Sequence, residues 1–379
     1  MTRQILVVVG TRPNFVKVAP VLNALRASGR IGTRLLHTGQ HYDRQMSEAF
    51  LEQLDFPTAD FHLGVGSGTH AEQTAAVLVG VERVLTSDAI DAVLVPGDVN
   101  STLAAALAAA KIGTPVVHLE AGLRSGDWTM PEEINRVLCD RLSALLLCHS
   151  PEAPDHLRSE GIDPARVAMV GNTMIDSLRR LLPAARDAGT LARLGLRAGE
   201  FALVTLHRPA LVDHAESLGG VLAVLERLAQ RISVVFPMHP RTRARLVGGA
   251  PTGLRIVDPL EYLDFIALEE QARVVVTDSG GVQEETSALG VPCITYRTNT
   301  ERPITVTLGT NTLVGLDPAA LEGALEETLG VDPPAHAPSI PLWDGAAGPR
   351  AARAIEDLLT GSAAAPQDAA SGTRLIVPT

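Results

Sequence analysis

The sequence predicts an α/β fold of two doubly wound domains facing a cleft. Three observations carry this expectation. Short, continuous apolar runs recur, stretches of helical period separate them, and the whole rhythm restarts midway. The first series is ILVVV (5–9), RLLHT (34–38), AVLVP (92–96), PVVHL (115–119) and ALLLC (144–148). Runs this short and unbroken read as strands buried on both faces of a parallel sheet. Segments 15–27, 71–85 and 102–111 have helical period, which makes βαβ units. The second series is ALVTL (202–206), SVVFP (233–237), LRIVD (254–258), RVVVT (273–277) and PCITY (292–296). Between the series, 171–198 reads as a hinge strand and turn followed by a helical connector. This divides the chain into domains at 1–172 and 173–345. AAGPRAARAIEDLLTG (346–361) reads as a final amphipathic helix, and 362–379, rich in Ala, Ser, Gly and Pro, as a flexible tail.

Composition narrows the function. The chain has 379 residues, 46% of them hydrophobic, enough for two ordinary domains. Its net charge of -11 argues against a protein that tracks nucleic-acid phosphates. It does not exclude a phosphate ligand, which a few local cations decide. The three cysteines have no CxxC spacing, so neither a disulfide frame nor a zinc cluster is expected, and a reduced cytoplasmic setting is. QILVVVG near the start is too short for a membrane helix, and no secretory signal is read before it. Only 3% of residues are aromatic, so the core must be aliphatic.

Ligands of open α/β sheets bind beyond the carboxyl ends of the strands. Here polar motifs stand at those ends. GTRPNFVK (10–17) offers a tight turn and Arg12 for a phosphate, with Lys17 further on; the plain alternative is a loop with Pro13 opening a helix. In PGDVNST (96–102), Asp98 follows a strand directly, and a helix cap is the plain alternative. In HLEAGLRSGDWTMPEEINR (118–136), first-turn carboxylates suit a helix start, which explains one of Glu132 and Glu133. It does not explain Glu120 at a strand end, where burial would demand a partner or a role. His207 and His239 end strands of the second series, in TLHRP and PMHPR. Finally, VVVTDSGGVQEE (274–285) presents Ser279, Gly280 and Gly281 at a helix start, a cradle for a diphosphate. Glu285, one turn on, can accept from two ribose hydroxyls. No GxGxxG and no GxxxxGK[ST] occurs, so neither a nicotinamide fold nor a P-loop is supported.

Together these motifs resemble the non-hydrolysing UDP-N-acetylglucosamine 2-epimerases. The matches, in family order, are GTRPNFVKVAP, TGQHYD, GDVNST, HLEAGLR, PEEINR, GNTMID, LHR, HPRTR, DSGGVQEE and RTNTERP. The resemblance implies two Rossmann-like domains in the GT-B arrangement, with the last helix crossing back to the first domain. It implies inversion at C2 of UDP-N-acetylglucosamine, giving UDP-N-acetylmannosamine. The implied route eliminates UDP to a bound 2-acetamidoglucal and adds it back. It matches Asp98, Glu120, Glu132 and His207 to catalytic groups. Arg12, His207, Ser279 and Gly280 match diphosphate contacts, and Glu285 the ribose contact. Lys17, Arg136, His239, Gly281 and Arg302 complete the expected substrate-binding set. A homodimer acting without metal or organic cofactor is expected by the same analogy.

The chain also departs from the family pattern. LHRPALVD replaces a common THRREN, losing the second Arg and the Glu-Asn pair. Gln40, His41 and Gln73 match a second, allosteric UDP-N-acetylglucosamine site, yet Glu72 stands where an Arg is expected. A carboxylate there would repel a diphosphate, so weakened substrate activation is expected. The rival functions are a hydrolysing epimerase, an epimerase of another UDP sugar such as a diacetamido uronic acid, a GT-B glycosyltransferase, and an inert UDP-sugar-binding regulator.

Overall fold

The computed structural model describes residues 2–39, 48–238, 240–246, 251–332 and 336–361. Its frame is the predicted pair of parallel sheets. The first contains β1 (Gln4–Val9), β2 (Gly32–His37), β3 (Phe61–His62), β4 (Ala92–Pro96), β5 (Val116–Ala121), β6 (Leu145–Cys148) and β7 (Val167–Met169). Their order is β3-β2-β1-β4-β5-β6-β7. The second contains β8 (Phe201–Thr205), β9 (Ser233–Pro237), β10 (Arg255–Val257), β11 (Val274–Thr277), β12 (Cys293–Thr295) and β13 (Asn311–Leu313). Their order is β10-β9-β8-β11-β12-β13. Ile5 to Val9 and Phe201 to Val204 are buried whichever face they point to, which is why their sequences do not alternate.

Strand order reverses twice, between β1 and β4 and between β8 and β11. Each reversal opens a crevice at the carboxyl ends, because the flanking connections leave on opposite sides of the sheet.

The structure corrects the predicted hinge. No strand lies within 171–198; Asn172 leads directly into the helix Thr173–Asp187, its Oδ1 accepting from Met174 N at 2.9 Å. The strand that closes the first sheet is β7, a few residues earlier. The 173–187 helix packs against both the Arg12–Ser28 and Tyr262–Gln271 helices, so it joins the two halves. The helix Ala347–Thr360 packs on the 12–28 helix and buries Ala351, Ala352 and Ile355 there. Gly348 permits the contact. A Cβ there would stand 2.6 Å from the Pro20 carbonyl oxygen, and its N–H donates to Asp176 Oδ2 at 2.8 Å. The predicted tail, 362–379, lies outside the described residues, and no described helix is long and apolar enough to cross a membrane.

Candidate active site

Four strand-to-helix connections, one from each side of both crevices, converge on a single cavity of about 510 Å³. Thr11 and Arg12 follow β1, Asp98 follows β4, His207 and Arg208 follow β8, and Ser279 and Gly280 follow β11; all of them line it. The volume suits a medium-sized ligand.

The first half supplies carboxylates and their counter-ions. Asp98 is not a helix cap: the 100–111 helix begins after Val99 without a side-chain cap. Instead its Oδ2 accepts from Arg136 Nη2 at 2.5 Å, and Asn135 Nδ2 donates to its carbonyl at 2.8 Å. Glu132 and Glu133 divide their work. Glu133 turns inward, accepting from Ser125 N, Gly126 N and Arg136, which holds it below the ordinary carboxylate range despite its burial. Glu132 stays exposed and lines the cavity.

Across the cavity the second half offers donors. His207 Nδ1 lies 2.9 Å from Asp278 Oδ1, while Asp278 Oδ2 accepts from the His207 and Arg208 N–H groups at 2.9 and 2.8 Å. Asp278 is buried, which works against its charge, but these contacts outweigh that and keep it ionised. The Asp278 carboxylate occupies the Nδ1 side of the ring, which leaves Nε2 as the ring's working nitrogen. The helix Gly280–Leu289 points its bare first-turn N–H groups at the same space. Gly280 is required there: a Cβ would stand 2.4 Å from Arg302 Nη1.

The two glutamates of QEE part company. Glu285 faces the cavity and meets the Tyr262 hydroxyl and Glu269. Burial pushes it up to about 7, against the lowering effect of Tyr262. Glu284 faces the other way, 2.7 Å from His149 Nε2 and 3.0 Å from Arg302 Nε. Leu260, Tyr262, Phe265 and Val282 form an apolar end of the cavity beside Glu285.

Glu120 does not line the cavity. It is the extra residue of a β-bulge in β5, where pairing skips from Leu119 to Ala121, and its φ is 72°. The bulge turns its side chain under the floor, between Lys17 and Arg302. Burial opposes its ionisation, but Lys17 and Arg302 prevail and hold it below the ordinary range.

A family model described as UDP-N-acetylglucosamine 2-epimerase matches residues 23–356, most of the chain. The chain belongs to the UDP-N-acetylglucosamine 2-epimerase family. The enzyme of that name from Methanocaldococcus jannaschii is 41% identical over 337 residues, covering 85% of this chain and 91% of that relative. A UDP-2,3-diacetamido-2,3-dideoxy-D-glucuronate 2-epimerase from Pseudomonas aeruginosa is also 41% identical, over 316 residues, 82% of this chain and 88% of that one. Among solved structures, the M. jannaschii epimerase in complex with UDP-GlcNAc and UDP superposes with a TM-score of 0.85 at 38% identity. It covers 93% of this chain and 99% of that one, and the fold is GT-B.

Of the residues the motifs single out in this family member, Arg12, Lys17, Asp98, Glu132, Arg136, His207, Ser279, Gly280, Gly281, Glu285 and Arg302 share the cavity wall. Glu120 lies behind it. Gln73 is buried elsewhere, accepting from Asn100 Nδ2 at 2.9 Å and donating to the Gly66 carbonyl. Gln40, His41 and His239 lie outside the described residues. Glu72 is engaged in a capping box, its carboxylate accepting from Thr69 N at 2.9 Å and its own N–H donating to Thr69 Oγ1 at 3.2 Å. Sequence reasoning missed Asp278, Tyr262 and Glu301 on or beside the cavity wall, and gave Arg208 no role. Asp278 had a signal, since it stands between strand and glycines in DSGG.

Proposed function

We propose that this family member epimerises C2 of UDP-N-acetylglucosamine reversibly, without hydrolysis. The observation carrying this is that one cavity brings the carboxylates of Asp98 and Glu132 together with Arg12, His207 and the bare first-turn N–H groups at Gly280 and Gly281. In the first step a base takes the C2 proton and the C1–O bond breaks, its electron pair leaving on the UDP β-phosphate. A C1=C2 double bond forms, giving 2-acetamidoglucal. A proton then reaches C2 from the opposite face, and a UDP oxygen adds back at C1. Arg12, His207, Ser279 and the first-turn N–H groups at Gly280 and Gly281 stabilise the departing diphosphate. Asp98 and Glu132 stand on the sugar side of the cavity and handle the C2 proton. Glu120 acts through Lys17 and Arg302, the cations it holds from beneath the cavity floor. The reading includes a cytoplasmic homodimer that needs no metal.

Proton NMR in deuterated water tests it. UDP-N-acetylglucosamine should yield a second anomeric doublet, with deuterium arriving at C2. Free N-acetylmannosamine and UDP would instead place the protein among the hydrolysing epimerases. The second reading is a UDP-diacetamido-glucuronate substrate, favoured by the equally identical P. aeruginosa relative. Deuterium entry with that sugar and none with UDP-N-acetylglucosamine would establish it.

Glu285 adds a pH prediction. Ribose hydroxyls donate to a carboxylate, so binding selects the ionised form. With Glu285 titrating at about 7, UDP should bind roughly tenfold tighter at pH 8 than at pH 6, as the ionised fraction rises. Calorimetry on wild type and Glu285→Gln isolates the effect, because the ligand's own titration is common to both. Equal pH dependence in the two proteins would refute the assignment.

A further inference from the structure

We propose that His118 is a permanently protonated positioning residue that fixes the turn presenting Asp98, an inference resting on the reading of Asp98 as a proton-handling group. His118 lies in β5 and is fully buried. Both ring nitrogens are engaged: Nε2 is 2.8 Å from the Gly97 carbonyl oxygen and Nδ1 is 2.6 Å from Asp140 Oδ1. A backbone carbonyl only accepts, so Nε2 carries a hydrogen. The hydrogen in the other contact belongs either to His118 or to Asp140.

Asp140's second oxygen decides between them. Oδ2 accepts from Gly122 N at 3.1 Å and stands 2.8 Å from Arg124 Nη1. Donors to the charged form favour the carboxylate, so the proton stays on Nδ1 and the ring is an imidazolium. Burial opposes that charge, but Cys139 and Asp140 beside the ring outweigh it, and His118 sits well above its ordinary value. The remaining groups in this cluster are Arg124, which also pairs with Glu160, and Cys148, whose thiol burial pushes up and so keeps neutral.

The ring's donation to Gly97 reaches the cavity in one residue. Gly97 has φ +65°, a left-handed turn that carries the chain from β4 to Asp98. His118 grips the carbonyl before Asp98, Asn135 Nδ2 grips the carbonyl of Asp98 itself, and Arg136 grips its carboxylate. The Asp98 oxygen atoms are thereby fixed from three sides, and the Asp140–Arg124 pair anchors the whole arrangement to the sheet. Displacements of an ångström in such a group cost about 100-fold in rate.

Nitrogen-15 NMR of the wild-type protein is the first test, and it needs no epimerase activity. Both His118 ring nitrogens should keep N–H shifts between about pH 6 and 9, whereas an ordinary histidine titrates near the bottom of that range. A bare ring nitrogen anywhere in the range would overturn the assignment. The second test is Asp140→Asn, which keeps the shape and removes the charge that holds the proton. Its kcat should fall roughly 100-fold with whichever UDP sugar the wild type turns over, while its UDP affinity stays unchanged. A kcat within about threefold of wild type, or a parallel loss of UDP affinity, would defeat the positioning role. Absence of wild-type turnover would refute the proposed function and leave the NMR result to stand or fall alone.

Discussion

Replacing Arg302 with methionine should destabilise the protein by roughly 3–5 kcal/mol, the usual cost of breaking a buried ion pair from one side. Arg302 is 5% exposed. Its Nη2 donates to Glu120 at 2.8 Å, its Nη1 to Glu301 at 2.5 Å, and its Nε lies 3.0 Å from Glu284. Glu120 keeps Lys17, Glu284 keeps His149, and Glu301 keeps Arg297 and Arg208, but all three lose the one guanidinium they share. Three buried carboxylates must then share too little positive charge, or take up protons. The transition in chemical denaturation should shift accordingly, and it should shift back part-way at acid pH, where the carboxylates neutralise. Wild-type resistance to denaturant in the variant would mean that the network contributes nothing net.

Asp98→Asn should leave that stability intact and remove activity. The amide oxygen can still accept from Arg136, so packing and hydrogen bonding survive. An amide cannot take a proton from carbon. Turnover should therefore fall roughly 100- to 10,000-fold, the usual contribution of one general acid or base. UDP affinity should hold, because the diphosphate contacts fall to Arg12, His207, Ser279 and the first-turn N–H groups and not to Asp98. Following deuterium entry at C2 separates the proton step from UDP release. A variant with less than about tenfold loss would transfer the role to Glu132 or Glu120.

Much of this arrangement was legible in the sequence, for a physical reason. Buried parallel strands must be continuously apolar, so ILVVV and VVVT announce themselves, and the polar residue that ends each run marks a carboxyl end. The strands that escaped notice are β3, β7 and β13, which lie at sheet edges. Each has only two or three residues, most of them partly exposed, too short to leave an apolar signature. In the site, Arg12, Asp98, His207 and Ser279 could be read because strand order alone carries them together. Arg208, Glu301 and Tyr262 could not, since their meaning comes from partners far along the chain. Glu120 was readable as a buried carboxylate in need of a partner. The bulge that turns it beneath the floor depends on how β5 pairs with β6, which one strand's residues do not reveal.

The return of the 347–360 helix to the 12–28 helix affects how the chain can be assembled. The second sheet is in effect an insertion within the first half, whose packing uses residues from both ends of the described chain. On the ribosome that first half cannot complete its surface when its own sheet has been synthesised. The flank of the 12–28 helix waits, apolar and uncovered, until Ala351, Ala352 and Ile355 emerge. A fragment ending after β7 would carry that same bare flank, which makes it a candidate for self-association rather than an independent module.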